Sequence, residues 1–196
     1  MTAPNAARRS GRRWLLAVAA LFVVPLAAAI LLYYSSGWRP AVNAQGTLID
    51  PPRPLDVWRL ELPDGKRVSA ETFLGHWSLV HAVESACDER TRALLDELAR
   101  VRLALDKDAS RVQRVLVHGG NCGAIEPGTA NANLLVLVAP GAAGEAFRAQ
   151  LPAVDGAAGI YIVDPRGKLM MSYPATGSAR GLLKDLERLL RLSSIG

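Results

Sequence analysis

Apolar and polar positions divide the chain into stretches of different period. From Trp14 to Tyr34 runs WLLAVAALFVVPLAAAILLYY, 21 residues without a charge. At about 1.5 Å of rise per residue this length matches the ~30 Å hydrocarbon layer of a bilayer, so the stretch predicts a transmembrane helix over 14–34. Apolar side chains on every face leave no polar side for water, which argues against a buried amphipathic helix. A cleaved signal peptide is the rival, but such peptides carry a shorter apolar core of about 7 to 15 residues. Val42-Asn43-Ala44, the nearest cleavage-like triplet, lies well beyond the run.

Residues 35–56 hold Pro40, Pro51, Pro52 and Pro54 and follow neither period, which predicts a tether. The body over 57–196 then alternates between the two periods. Trp58 to Leu62, the turn residues Pro63-Asp64-Gly65, and Lys66 to Val68 predict a β-hairpin. The apolar run Trp77 to Val83 predicts a buried strand, and Asp88 to Leu105 has the spacing of a helix packed by one face. Strands over Arg111 to Val117 and Leu134 to Val138, a short helix over Glu145 to Leu151, and a Gly159–Val163/Leu169–Tyr173 hairpin follow. Gly181 to Leu192 closes the chain as an amphipathic helix. Strand, helix, strand, then helix, hairpin, helix predicts an α/β domain of thioredoxin-like plan with an N-terminal β-hairpin, preceded by the single transmembrane helix.

Charge sharpens the topology. The formal net charge is +5, yet residues 1–39 contain Arg8, Arg9, Arg12, Arg13 and Arg39 and no acid. The remaining 157 residues balance 18 bases against 18 acids. The body is therefore neutral, which argues against nucleic acid as a partner, since phosphate binding needs a basic face on the folded domain. The basic arm over 1–13 instead predicts a cytoplasmic N-terminus, with the body on the other side of a bacterial inner membrane, in the periplasm, and the lipid bilayer as the partner of residues 14–34.

In an open α/β sheet, sites form at the carboxyl ends of strands, and both cysteines fall there. Cys87 lies between the strand ending near Val83 and the following helix; Cys122 lies in HGGNCG, just past the next strand. Three readings stay open: a disulfide, a redox or metal-binding pair, or two unrelated cysteines. An oxidising compartment favours the first. His118 joined to Cys87 and Cys122 would supply two sulfurs and an imidazole, a donor set suited to copper. His81, inside a strand pattern, reads as a core histidine. Neither a CxxC motif nor a hydrolase elbow nor a phosphate loop is present, so no catalytic residue is assigned and a thiol-disulfide oxidoreductase is the one enzyme class left open.

LIDPPRPLDVWRL, LLDELARVRLALDKDASRVQRVLV and GIYIVDPRGKLMMSYP followed by GLLKDLERLLRL resemble the Sco/SenC family of thioredoxin-like proteins of cytochrome c oxidase assembly. The resemblance implies terminal oxidase subunits or other assembly factors as partners, and in the family copper is held by CxxxC and a histidine. Cys87 matches the first cysteine, but Thr91 stands at the second and Gly156 at the histidine. The expectation is an accessory protein of oxidase assembly without that copper site. The alternatives are a thiol-disulfide protein using Cys87 and Cys122, or a copper chaperone whose site has moved to Cys87, Cys122 and His118.

Overall fold

The computed structural model describes residues 5–34, 44–84, 87–120, 122, 133–154 and 159–195. It divides into two units, residues 1–43 and 44–196. Among its described residues the first has one helix, α1 (Asn5–Tyr34), with Pro25 inside it. Its described apolar side chains, Trp14, Leu21 and Phe22 among them, are exposed. Among the described residues no helix is long and apolar enough to cross a membrane. Helix α1 begins at Asn5, so it takes in Arg8, Arg9, Arg12 and Arg13 rather than starting at the apolar run. The expected placement in a bacterial inner membrane with a periplasmic body is corrected accordingly.

The second unit is built on one sheet. Its strands are β1 (Thr47–Pro54), β2 (Trp77–Val83), β3 (Val112–His118), β4 (Leu134–Val138), β5 (Gly159–Val163) and β6 (Lys168–Pro174), in the order β1-β6-β5-β2-β3-β4. Strands β2, β3 and β4 run parallel, while β5 and β6 are antiparallel additions. Strand β2 is central and covered on both faces, which is why WSLVHAV reads as a continuous apolar run rather than an alternating one.

Helices α2 (Glu89–Leu103) and α4 (Ala179–Leu192) cover one face, where Leu98, Leu186 and Leu190 meet Leu79, Ile160 and Ile162. On the other face α3 (Ala142–Arg148) brings Phe147 against Val80, Val115, Leu60 and Phe73.

Two segments differ from their sequence patterns. The Pro-rich segment is not wholly a tether, because Thr47–Pro54 forms the edge strand β1 on β6, with a bulge between Leu48 and Arg53. Proline is tolerated at an edge, where one row of N–H groups has no partner strand to serve. The expected hairpin is reduced to a turn, closed by the Leu62 N–H to the Lys66 carbonyl at 2.7 Å, with Glu61 and Arg67 as an isolated bridge. Glu61 also exchanges both backbone hydrogen bonds with Val138 of β4, at 2.9 and 2.7 Å. The segment thus covers the open edge of β4 instead of forming its own ribbon.

Where the second unit begins, the buried Asp185 carboxylate accepts from the N–H groups of Gln45 (2.7 Å) and Gly46 (3.1 Å) and from the Tyr173 hydroxyl (2.7 Å). Burial, and then the bond to Asp185, push the Tyr173 phenol well above its ordinary range. Gly46 lies flat on the Tyr173 ring, where a Cβ would come within 2.3 Å of ring carbon. Asp185→Ala would strand these donors in a buried site. We expect a loss of unfolding free energy of about 3 kcal/mol or more, since each buried unsatisfied donor costs about 1–3 kcal/mol. Urea denaturation of both forms measures it, and a loss below about 1 kcal/mol would contradict this role of the carboxylate.

Candidate functional site

Strand β2 leads towards α2 and β3 towards the Gly119-Gly120 turn, and their parallel register, Trp77↔Val112 through Val83↔His118, brings both exits to one sheet edge. Gly119 lets the exits approach: a Cβ there would lie 2.6 Å from the Glu84 carbonyl oxygen and 3.3 Å from that of Ala139. Glycine is required at this point by contact, not by an unusual φ. With the backbones this close, Cys87 and Cys122 are joined by a disulfide, their Cα atoms 4.6 Å apart. The bridge is 7% and 5% exposed at its two residues and packs on Leu95 of α2 and Leu116 of β3.

Asp88 caps α2 immediately after Cys87. Its Oδ1 accepts from the Thr91 N–H at 2.8 Å and the Thr91 hydroxyl at 2.9 Å. These two bonds hold the Asp88 carboxyl below the ordinary aspartate range. Thr91, at the position of the second family cysteine, is thus a buried part of the helix cap.

His81 lies on β2, 1% exposed, with its Nδ1 2.9 Å from the Gly159 carbonyl. A carbonyl only accepts, so in the neutral ring Nδ1 carries the proton. Burial pushes the imidazole below its ordinary value, against the opposing pull of the Gly159 bond and the Asp88 charge. His118 ends β3 with Nδ1 2.6 Å from the Gly120 carbonyl. His76 is exposed. Asp155, Gly156 and Ala157, the stretch matched to the family histidine, lie outside the described residues.

A family profile for the transmembrane-like, thioredoxin-like, C-terminal domain matches residues 77–193. The chain belongs to this family. Its fold is the Sco/SenC-like thioredoxin fold. Apo Sco1 from Thermus thermophilus matches with a TM-score of 0.54 at 21% identity, over 77% of this chain and 99% of that one. Copper-bound yeast Sco1 matches at 0.52 and 15%, over 72% and 92%. BsSco, described as a Sco family cytochrome c oxidase assembly protein with a disulfide switch, matches at 0.51 and 16%, over 73% and 96%. No curated protein matches the chain. At these identities the structural likeness carries the fold and not the activity.

The donor set does not fit the copper ligands that the resemblance implies. One sulfur is bonded to Cys122, and Thr91 offers a hydroxyl already committed to Asp88. Among the described residues no group of three or more His, Cys, Asp or Glu is arranged to hold a metal ion. For the relocated set of Cys87, Cys122 and His118, the sulfurs in this oxidised form are bonded to each other and present no thiolate.

The sequence placed both cysteines at the correct strand ends but left their pairing open. The close approach of Gly119 to Glu84, which the pairing needs, is not visible in the local sequence pattern.

Two outcomes follow from this geometry. The bridge closes a loop with a sequence separation of 35, so Cys87→Ser with Cys122→Ser should lower stability by about 3–4 kcal/mol in the chain-entropy treatment, measured by denaturant unfolding without reductant. His81 takes up its proton more readily in the unfolded chain than in the folded one. Its contribution is therefore intact above the unfolded value near 6.5 and is lost as the pH falls below it. Unfolding free energy should drop between pH 7 and about 5.5, above the carboxylate range, and His81→Phe should remove that slope.

Proposed function

We propose that the chain is a thioredoxin-like accessory protein of cytochrome c oxidase assembly whose working element is the Cys87/Cys122 pair, acting by thiol-disulfide exchange with a partner. The observation that carries this reading is the joining of the two cysteines at the carboxyl ends of adjacent parallel strands, where this fold class places its chemistry. The Thr91 cap favours it further, since sulfur chemistry through a local CxxxC has no second thiol here. Oxidase assembly as the setting is supported by the family resemblance and by the fold shared with BsSco.

Exchange requires a thiol-bearing partner. A partner thiolate attacks one sulfur of the pair, the Cys87–Cys122 bond breaks, and a second partner thiol resolves the mixed disulfide, leaving the partner oxidised and this pair reduced. The reverse sequence transfers a disulfide back.

The test places the Cys87→Ser, Cys122→Ser double variant of the full chain in the native host. We expect assembled oxidase, read from its haem absorbance, to fall several-fold at equal protein level. Unchanged oxidase would end the exchange reading and leave an accessory that acts through protein contacts alone.

A further inference from the structure

The side of β2 and β3 that faces α2 can be followed in register toward the strand ends. Leu79 lies beside Arg114, His81 beside Leu116, and Val83 beside His118. The opposite side is accounted for by Val80, Ala82, Val115 and Val117, which belong to the other core. Arg114, His81 and His118 therefore share the face that ends at the disulfide. Among the described residues of these two strands no carboxylate lies on that face.

Arg114 is 2% exposed, and its Nη1 donates to the Leu95 carbonyl at 3.0 Å. The side chain of that same Leu95 packs, with Leu116, on Cys87 and Cys122. A guanidinium keeps its charge when buried. A permanent cation is thus held in the layer next to the one on which the sulfurs rest, where low dielectric strengthens its field. Among the described residues, charged groups near this region come from α2 and the β2 exit. Asp88 caps the helix and is committed to Thr91. Asp96 attracts and Arg102 opposes the Arg114 charge, but Asp96 is exposed and so screened by water. Glu84 is exposed and lies 3.4 Å from Arg148.

We propose that Arg114 is a positioning residue of the Cys87/Cys122 couple: its buried charge favours thiolates over the disulfide and makes the pair an acceptor of electrons from dithiols. This rests on the exchange reading above and gives it a direction. A stabilised thiolate raises the reduction potential, as in oxidising members of the disulfide oxidoreductases. The dithiol donates two electrons and becomes a disulfide. Cys87 and Cys122 are reduced, and the two protons pass to the released sulfurs, or to water where a sulfur remains as thiolate.

The experiment equilibrates the full chain with reduced and oxidised glutathione and reads the reduced fraction from the mass added by alkylation. For Arg114→Met we expect the equilibrium constant for reduction to fall about tenfold, equivalent to about 30 mV for a two-electron couple, while Arg114→Lys keeps most of the native value. An unchanged constant in an Arg114→Met chain that retains a cooperative thermal transition overturns the proposal. Should that variant not fold, the native chain decides. The pH dependence of iodoacetamide reaction in the reduced form should show at least one cysteine titrating below the ordinary value near 8.5, and two cysteines at or above it overturn the proposal. These readouts are properties of the couple alone, so they can fail while the oxidase test succeeds, and the reverse.

Discussion

The parallel ladder between β2 and β3 decides where every chemically distinctive group of the domain falls. Its register, from Trp77 beside Val112 to Val83 beside His118, makes the two strands end at the same level. Each strand carries a cysteine a few residues past its end, so equal strand ends mean facing cysteines. The same ladder sorts alternate residues onto two faces. It sends Val80, Val115 and Val117 to one core and Leu79, His81, Arg114 and Leu116 to the side covered by α2. A slip of one residue would exchange the two sets and bury Arg114 in the apolar cluster around Phe147.

What surrounds the ladder serves to hold that level. Strand β5 pairs on the outer side of β2, and its Gly159 carbonyl fixes the His81 ring. Glycine at 119 removes the one Cβ that would separate the two exits. The Asp88 cap starts α2 directly after Cys87, and the Asp185 carboxylate joins the first residues of the unit to Tyr173 and α4. The fold is shared with a protein described as copper-bound, while in this chain Thr91 belongs to a helix cap and Cys122, from the neighbouring loop, is the partner of Cys87.

Much of the architecture was legible from local patterns. The run WSLVHAV, the strand Leu134–Val138, the late hairpin and the amphipathic closing helix each carry a period that a single segment suffices to express. Strand β1 was not legible, because a Pro-rich segment becomes a strand only when β6 offers it an edge. Nor was the fate of the Pro63-Asp64-Gly65 turn, whose flanks found partners on β4. The uncharged run after Trp14 illustrates the opposite failure, where local pattern suggested more than the described helix carries.

The sequence by itself determined where the central strands and the helices of the second unit fall, that the body is electrically neutral, and that each cysteine follows a buried strand. These are properties of neighbours along the chain, set by side-chain period and turn chemistry. Only the tertiary structure decided that Cys87 and Cys122 are partners, that Thr91 is a cap and not a vacant ligand position, and that Arg114 shares the face of the sulfurs. Each of those depends on register between segments distant in sequence, and register is fixed by which faces are buried together, a quantity no single segment contains.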